Sequence, residues 1–540
     1  MENKLPTATT FLATNASQVR TLPKDRLFWL TVAMLAILLA FIVLFPLRAA
    51  GDSALYLDIG GRVLDGQRPY IDFFDINPPT IHFLNLLPVA VSRLTGLHPI
   101  PVFHLFIWLI VAGAATGIGY VLSRARDEER LGMLAPWLLP MLFAVGAYIA
   151  WLLIAFGQRD HLFILALPTW AILRWYRWEG GHTPAWPAIF VGVLGAVGAS
   201  LKPTFILGFG LVEAYGLLRY RNWRNYFTWE MLGAGIIVGL YGLYLVTQPE
   251  VLRTYLTEVT PSVVAGYRSY GYTPALDLIF GDFQSLVALG LAALLALLGL
   301  RQRKSLGRLF ILMAILALAS VLSFALQTKG WRYHSLPLLT MIFLTGGLLV
   351  ERTFALPTLR LVLRRHRLEN AVPILIVVIS VVCGVLVAPM LPYGEALEVE
   401  QQPFLLYTQQ GDPVIIADVR VIPIHTAVIQ ADRRPVGRYP MAYPLAFAYP
   451  STEPPPEDIY DPAHTPPPIA QAYLDVLMED IRTQKPQLIL LCTIRDVSGP
   501  EYMNVARYVK AHTDIELLLA QDYESMGVMA PYEVYVRKSP

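Results

Sequence analysis

The sequence LFWLTVAMLAILLAFIVLFPL occupies residues 27–47 and carries no charged side chain. An α-helix rises about 1.5 Å per residue, so this run can cross the hydrocarbon core of a bilayer, which is roughly 30 Å thick. It is longer than the apolar region of a cleaved signal peptide, and the polar residues Gly51, Asp52 and Ser53 follow it instead of a cleavage site. We therefore expect a retained transmembrane helix.

Apolar runs of similar length recur through the first 391 residues. Ten more follow, at 101–122, 132–155, 161–176, 186–201, 204–218, 231–247, 276–300, 309–326, 335–350 and 372–391. Hydrophobic residues make up 55% of the chain and charged residues 15%, with a mean hydropathy of +0.50, whereas soluble proteins carry about 25% charged residues. The sequence predicts an α-helical polytopic membrane protein with eleven crossings. It excludes a cytosolic enzyme, a disordered scaffold and a secreted disulfide module.

The overall charge and the cysteines give no sign of a nucleic-acid partner or a disulfide framework. The 42 Lys and Arg residues against 40 Asp and Glu residues leave a net charge of +2, so no global field attracts nucleic acid. Cys383 lies in an apolar run and Cys492 lies far downstream in a strand-like stretch. We expect neither a disulfide between them nor a thiolate metal site.

Basic residues stand at every second junction, and Lys and Arg near helix ends are retained on the cytoplasmic side. These junctions are Arg20/Lys24/Arg26, Arg124/Arg126/Arg130, Arg174/Arg177, Arg219/Arg221/Arg224, Arg301/Arg303/Lys304/Arg308 and Arg352/Arg360/Arg364/Arg365/Arg367. We interpret the last two as topology signals with some contact to anionic lipids. The pattern predicts a cytoplasmic tail over residues 1–26, a membrane module over 27–391 and an exported region after it. The opposite junctions are 50–100, 158–161, 202–203, 248–275 and 329–334, so their few charges gather at the outer surface.

The last part of the chain has a different composition. Nineteen of the 41 prolines lie between Pro392 and Pro540, and long helices cannot run through them. Short buried strands are predicted at 414–417, 488–491 and 533–536, and an amphipathic helix at 469–481. We therefore predict a C-terminal extracytoplasmic α/β domain over residues 392–540.

The loop after the first helix is the most informative polar segment. Residues 51–79 read GDSALYLDIGGRVLDGQRPYIDFFDINPP, with acidic and aromatic side chains interleaved. A carboxylate at Asp52 would lie close enough to lipid for a perturbed pKa and close enough to water to accept a proton. Alternatively, Asp52 or Ser53 caps a short interfacial helix that runs to Leu64. Spacing alone does not decide between these two interpretations.

Several outer segments together resemble the GT-C superfamily of integral-membrane glycosyltransferases. The likeness rests on the Asp directly after the first helix, GQRPYID at 66–72, NPP at 77–79, GQRDHL at 157–162, LKP at 201–203 and KGWRYHSLP at 329–337. It is nearest to the branch that contains protein O-mannosyltransferases and the lipid A aminoarabinose transferase. Asn77 departs from the pattern, because the aminoarabinose transferases have a Lys before the paired prolines, so a cation is missing there.

The resemblance implies transfer of a sugar from a polyprenyl-phosphate donor to an acceptor hydroxyl of a glycan, lipid or protein, with inversion at the anomeric carbon. It implies a bacterial-type cytoplasmic (inner) membrane location with the reaction at the outer face, and no required cofactor. Asp52 matches the general base. The predicted donor-phosphate ligands are Lys202, Arg159, Lys329, Arg332 and His334, and the predicted substrate-binding residues are Tyr70, Asp72, Asp75, Asn77, Asp160 and His161.

Each of these residues also has a structural interpretation. Lys202 could extend from a helix end to the membrane surface, and residues 331–333 could form an interfacial aromatic belt with an anchoring cation. Asp160 and His161 could cap the next helix. A divalent ion on Asp52, Asp72 and Asp75 is a further alternative, although lipid-phosphate donors carry less charge than nucleotide diphosphates and depend less on a metal.

Two other classes of protein stay open at this point. A transporter or lipid flippase would place ionisable residues at bilayer depth on broken helices and often shows repeated halves, neither of which this sequence displays. A non-catalytic membrane subunit could retain a glycosyltransferase scaffold while its exported domain binds a partner. Transfer of radiolabelled sugar from a polyprenyl-phosphate donor would distinguish the enzyme from both.

The charge alternation makes a direct prediction about topology. A reporter that is active only in the cytoplasm, fused after Pro540, should be inactive, because an odd number of crossings places this end outside. The same reporter fused after residue 221 should be active, since that junction is basic. Activity at Pro540 would overturn both the topology and the location of the proposed site.

Overall fold

The computed structural model describes residues 25–131, 134–267, 272–302, 304–354, 371–387, 395–421, 424–449, 456–493, 503–529 and 531–538. The predicted tail before residue 25, the basic residues 360–367 and the end of the last apolar run lie outside the described residues. Within the described ranges the protein is a bundle of apolar helices with a small mixed sheet after it.

Each predicted apolar run falls on a helix of the bundle. The helices are α1 (Arg26–Leu44), α4 (Pro99–Asp127), α5 (Leu138–Leu152), α6 (Arg159–Trp178), α7 (Ala185–Ser200), α8 (Pro203–Tyr220), α9 (Trp229–Thr247), α13 (Phe283–Arg301), α14 (Ser305–Leu326), α15 (Leu336–Phe354) and α16 (Ala371–Val387). Six helical spans in the described ranges are long and apolar enough to cross a membrane. The membrane character is confirmed, and the count of eleven crossings stays a prediction.

One predicted span is divided. The run 276–300 contains helix α12 (Ala275–Phe280) and then α13, with a break at Gly281 and Asp282. The Asp282 carboxylate accepts a hydrogen bond of 2.8 Å from the backbone N–H of Ser285, which caps the N-terminus of α13. Hydropathy alone did not reveal this break, because the residues on both sides are apolar.

Short helices cover one end of the bundle, which we call the loop-side end. They are α2 (Gly51–Leu64) and α3 (Thr80–Thr95) after the first crossing, and α10 (Pro249–Thr254) and α11 (Thr260–Tyr267) after α9. Helix α2 packs closely on α3. A Cβ atom built on Gly60 would lie 2.9 Å from the backbone carbonyl atoms of Asn85, so only glycine permits this approach.

The C-terminal region forms a five-stranded sheet with helices around it. The helices are α17 (Glu395–Tyr407), α18 (Ile424–Gln430), α19 (Tyr443–Ala448), α20 (Pro468–Gln484), α21 (Val505–His512) and α22 (Ile515–Asp522). The strands are β1 (Pro413–Ala417), β2 (Arg434–Pro435), β3 (Leu488–Cys492), β4 (Tyr523–Met529) and β5 (Tyr532–Arg537), in the order β2-β1-β3-β5-β4. Strand β1 pairs in parallel with β2 and β3, and β5 pairs antiparallel with β3 and β4. The predicted α/β character is confirmed.

The sheet region contacts the loop-side end of the bundle through Arg62 of helix α2. The buried Arg62 guanidinium pairs with Asp58 at 2.9 Å and donates to the carbonyl oxygens of Gly437 and Pro435 at 2.6 and 2.9 Å. The backbone N–H of Phe74 also donates to the carbonyl of Arg438 at 2.7 Å. The C-terminal region therefore lies on the same side of the bundle as the informative loop.

Adjacent glycines of α2 allow a matched test of this packing. Gly60→Ala should lower the free energy of unfolding by about 1–3 kcal/mol, because the new methyl group overpacks against the α3 backbone. At Gly61 the nearest atom to a new Cβ is the end of the Arg93 side chain, at 3.4 Å. Gly61→Ala should therefore be neutral or stabilising. Thermal unfolding in detergent checks both variants, and equal effects would contradict the proposed close contact.

Candidate functional site

Four charged side chains from separate parts of the sequence meet at the loop-side end. Asp52 lies in the first turn of α2, Arg159 and Asp160 begin α6, and Lys202 directly precedes α8. Arg159, Asp160 and Lys202 all act electrostatically on the Asp52 carboxyl. The structure thus assembles residues that the sequence placed more than 100 positions apart.

Lys202 belongs to a closed ring of hydrogen bonds with Asp160 and Gln327. Its ammonium donates to Asp160 Oδ2 at 2.6 Å and to Gln327 Oε1 at 2.5 Å, while Gln327 Nε2 donates to Asp160 Oδ1 at 3.1 Å. All three side chains are buried. Lys202 therefore does not extend to the membrane surface, and that alternative was wrong. Gln327, which follows α14, was not predicted, since a lone Gln at a helix end gives no sequence signal.

Arg159 is held differently from Lys202. Its guanidinium carbon lies 5.6 Å from the centroid of the Tyr56 ring, and the side chain is partly exposed. It makes no hydrogen bond or ion pair with the part of the chain that the structure describes. A cation at the first position of a helix also opposes the helix dipole. Arg159 is thus a positive group available to an anionic ligand.

The carboxylate of Asp52 likewise makes no hydrogen bond with any residue in the described ranges. The helix cap is Ala50, without a side-chain hydrogen bond, and Asp52 stands at the second helical position. The alternative that Asp52 or Ser53 caps α2 was wrong, because the helix starts two or three residues earlier than such a cap would place it. Burial raises the pKa of the Asp52 carboxyl, while the positive charges of Arg159 and Lys202 act to lower it.

Asp75 forms the acidic centre of a second buried group. His82 Nε2 lies 2.7 Å from Asp75 Oδ2, Asn77 Nδ2 donates to Oδ1 at 3.1 Å, and the hydroxyl of Tyr70 donates to the Asn77 carbonyl. Burial acts to raise the pKa of Asp75, but the hydrogen bonds from His82 and Asn77 and the charge of Arg159 outweigh it, so the pKa is lowered. Asn77 therefore serves Asp75 as a hydrogen-bond donor. His82, on α3, was not predicted.

Asp72 does not join the buried groups. It is exposed, lies 3.4 Å from Arg68 and accepts a hydrogen bond of 2.7 Å from the Arg68 backbone N–H. The predicted substrate-binding role would therefore fall on an exposed residue. Asp52, Asp72 and Asp75 do not group together as the three-carboxylate metal alternative requires. Nowhere in the described ranges do three His, Cys, Asp or Glu side chains group for a metal.

The segment 329–337 contributes two buried residues and one exposed residue. Lys329 is buried, 5.6 Å from the Trp331 ring centroid, and burial lowers the pKa of its ammonium to about 8. His334 is fully buried against Tyr333, and neither ring nitrogen has a partner within the described ranges. Arg332 is exposed and makes no ion pair with a described residue.

His161 links the Gly157 turn to helix α6. Its Nδ1 accepts a hydrogen bond of 3.0 Å from the backbone N–H of Gly157, while Nε2 is buried without a partner among the described residues. The alternative that Asp160 and His161 cap α6 was wrong, because the helix start has no side-chain cap and the Gly157 N–H lies before it. Asp160 bonds Lys202 and Gln327 instead. The second nitrogen of His161 stays available to a ligand.

Reciprocal variants test whether Lys202 and Asp160 stabilise each other. Lys202→Met leaves a buried carboxylate without its cation, and Asp160→Asn leaves a buried ammonium without its anion. Each should lower the free energy of unfolding by roughly 3–5 kcal/mol. The double variant should recover most of that loss, since neither charge is then isolated. Thermal unfolding of the purified proteins measures all three, and additive losses in the double variant would contradict the pairing.

Comparison with solved structures supports the same architecture. The chain is similar to the crystal structure of ArnT from Cupriavidus metallidurans bound to undecaprenyl phosphate, with a TM-score of 0.54 and 14% sequence identity. The match covers 95% of this chain and 99% of that chain. No protein-family model and no curated protein sequence matches the chain. The chain therefore shares the membrane fold of that crystal structure, as the resemblance of its outer-loop motifs predicted.

Proposed function

We propose that the protein is a membrane glycosyltransferase that moves a sugar from a polyprenyl-phosphate donor to an acceptor hydroxyl at the outer face of the membrane. One observation carries the proposal. The carboxylate of Asp52 and the guanidinium of Arg159 act on each other electrostatically, and neither has a hydrogen-bond partner in the described ranges. An available base beside an available cation is what a displacement with an anionic leaving group requires.

Asp52 would act as the general base. It takes the proton of the acceptor hydroxyl while the hydroxyl oxygen attacks the anomeric carbon of the donor sugar. The bond from that carbon to the phosphate oxygen breaks, and the electron pair leaves with the polyprenyl phosphate. Attack from the face opposite the phosphate inverts the anomeric centre. Asp75 is unsuited to this role, because hydrogen bonds from His82 and Asn77 occupy both of its oxygens.

The cations of the site would hold the phosphate. Arg159 can present two N–H groups to phosphate oxygens, a geometry that guanidinium provides and ammonium does not. Lys202 has one N–H left after its bonds to Asp160 and Gln327, and its charge adds to the attraction. Lys329 and His334 of the segment 329–337 would add a positive charge and a hydrogen-bonding group, and Arg332 would contact the headgroup from its exposed position. The undecaprenyl phosphate bound to ArnT supports a donor of this class.

The remaining buried groups would shape the sugar pocket. Tyr70, Asn77 and Asp75 are fixed by their mutual bonds, so they offer a rigid wall. His161 can donate or accept through its unpaired Nε2. Because these polar side chains are already held in place, they bind hydroxyls without the free-energy cost of ordering side chains on binding. A location in the cytoplasmic membrane of a bacterial-type cell follows from this donor and from the apolar helices.

Removal of the base tests the mechanism most directly. Asp52→Asn should reduce sugar transfer by about 10²–10⁴-fold, because the amide cannot accept the proton. Thermal stability should change by less than about 1 kcal/mol, since Asp52 makes no cap, and the loss of its attraction to Arg159, Lys202 and the helix dipole is offset by removal of a buried charge. Transfer of labelled sugar in membranes gives the rate. A variant within threefold of the native rate would refute the base assignment.

Removal of the available cation should affect donor binding and pH dependence together. Arg159→Met should weaken donor binding by about 1.5–3 kcal/mol, the loss of a charge-assisted contact. It should also raise the Asp52 pKa, because a positive charge that lowers it is gone. A base acts only when deprotonated. As the solution is acidified, the variant should therefore lose activity at a higher pH than the native protein does.

The exposed Arg253 on α10 is a matched control for this variant. Arg253→Met removes the same charge from the same side of the bundle and should leave both the donor affinity and the acid limb of the pH profile unchanged. Equal effects at Arg159 and Arg253 would show a general electrostatic contribution and would contradict a phosphate ligand at Arg159.

A further inference from the structure

A polar cavity lies between the C-terminal region and helices α2 and α3. Its volume is about 350 Å³, within the range of small-molecule sites. Helix α2 contributes Asp58 and Arg62 to one wall, and the segment from Arg434 to Arg438 with Asp480 of α20 forms the other. We call this cavity the interdomain groove. Asp52 does not line it, although Asp52 lies on the same helix α2.

The groove contains equal numbers of positive and negative side chains. Five arginines and five aspartates line it. Arg62 pairs with Asp58 at 2.9 Å and Arg93 pairs with Asp65 at 2.6 Å, so much of this charge is already neutralised. A multiply charged anion would meet a carboxylate beside the arginines, and repulsion would oppose its entry. The balance favours an uncharged ligand with many polar groups.

Several hydrogen-bonding groups of the groove have no partner in the described ranges. Arg438 Nε is buried without an acceptor, and the exposed guanidinium of Arg434 makes no ion pair there. Asp480 uses Oδ2 to accept the backbone N–H of Arg438 at 2.8 Å, while Oδ1 makes no bond in the described part of the chain. The groove therefore offers both donors and acceptors. Hydroxyl groups match this combination because each can donate and accept, whereas a phosphate dianion only accepts.

The distance between the groove and Asp52 indicates the size of the ligand. Arg62 follows Asp52 by ten residues along α2, which is about 15 Å of helix. An oligosaccharide can span this separation and a single sugar cannot. We infer that the interdomain groove binds a neutral, hydroxyl-rich oligosaccharide, the non-reacting portion of a glycan acceptor whose terminal hydroxyl reaches Asp52. The acceptor role rests on the proposed function, while carbohydrate binding in the groove stands on the geometry alone.

The test uses the full-length protein in a detergent without a sugar headgroup. Neutral mannose, glucose and galactose trisaccharides serve as probes, and saturation-transfer NMR reports their binding. At least one should bind, and Arg438→Leu and Asp480→Asn should each weaken it by roughly tenfold, the effect of one lost hydrogen bond to a charged group. Arg482→Leu, an exposed change on the same helix as Asp480, should have no effect. Melting temperatures verify that each variant is folded.

Binding of the trisaccharide to Asp52→Asn separates this inference from the proposed function. Unchanged binding in that variant, together with loss in Arg438→Leu, supports the groove whether or not the protein transfers sugar. If Asp480→Asn fails to fold, Gln484→Ala at the groove edge replaces it. The inference is overturned if no trisaccharide binds, if Arg438→Leu binds as the native protein does, or if inorganic phosphate binds in an Arg438-dependent way and the sugars do not.

Discussion

The buried ion pair between Lys202 and Asp160 is the constraint on which the site depends. Removal of an ammonium or a carboxylate from water costs several kcal/mol, and the cost is offset only when the partners meet with good geometry and their remaining bonds are satisfied. Gln327 meets that condition, because it accepts from Lys202 and donates to Asp160. The ring consequently joins the ends of helices α6, α8 and α14. These helix ends carry the charges that face Asp52.

The hydrogen-bonded ring of Lys202, Asp160 and Gln327 also distinguishes Lys202 from the neighbouring cation Arg159. Lys202 is committed to protein partners, although its charge still acts on Asp52. Arg159 stands next to Asp160 in sequence, yet it has no hydrogen-bond partner in the described ranges. Two neighbouring residues at one helix start thus separate into an anion paired with protein groups and a cation without a hydrogen-bond partner in the described ranges. This arrangement breaks the local preference for acidic residues at a helix start, and such departures concentrate at functional sites.

The C-terminal region is joined to this centre through helix α2. Arg62 pairs with Asp58 inside the helix and donates to two carbonyl groups at the edge of the sheet. Asp52 lies on the same helix. Any displacement of the C-terminal region that breaks the Arg62 contacts would leave buried polar groups unpaired, which makes such a displacement costly. Helix α2 therefore connects the proposed base, the interdomain groove and the sheet as one rigid element.

The sequence by itself determined the membrane character, the positions of the apolar helices apart from the break at Gly281 and Asp282, and strands β1, β3 and β5, because apolar runs and proline distribution act locally. Strands β2 and β4 were not predicted. The sequence also indicated Asp52, Arg159 and Lys202, since polar motifs at helix ends stand out in an apolar chain. Only the tertiary structure decided the partners: Gln327 and His82 carry no local signal, and Asp72 proved exposed although its neighbour Asp75 is buried. Whether a charge is available or committed depends on which distant side chain reaches it, and that contact is a product of packing rather than of sequence spacing.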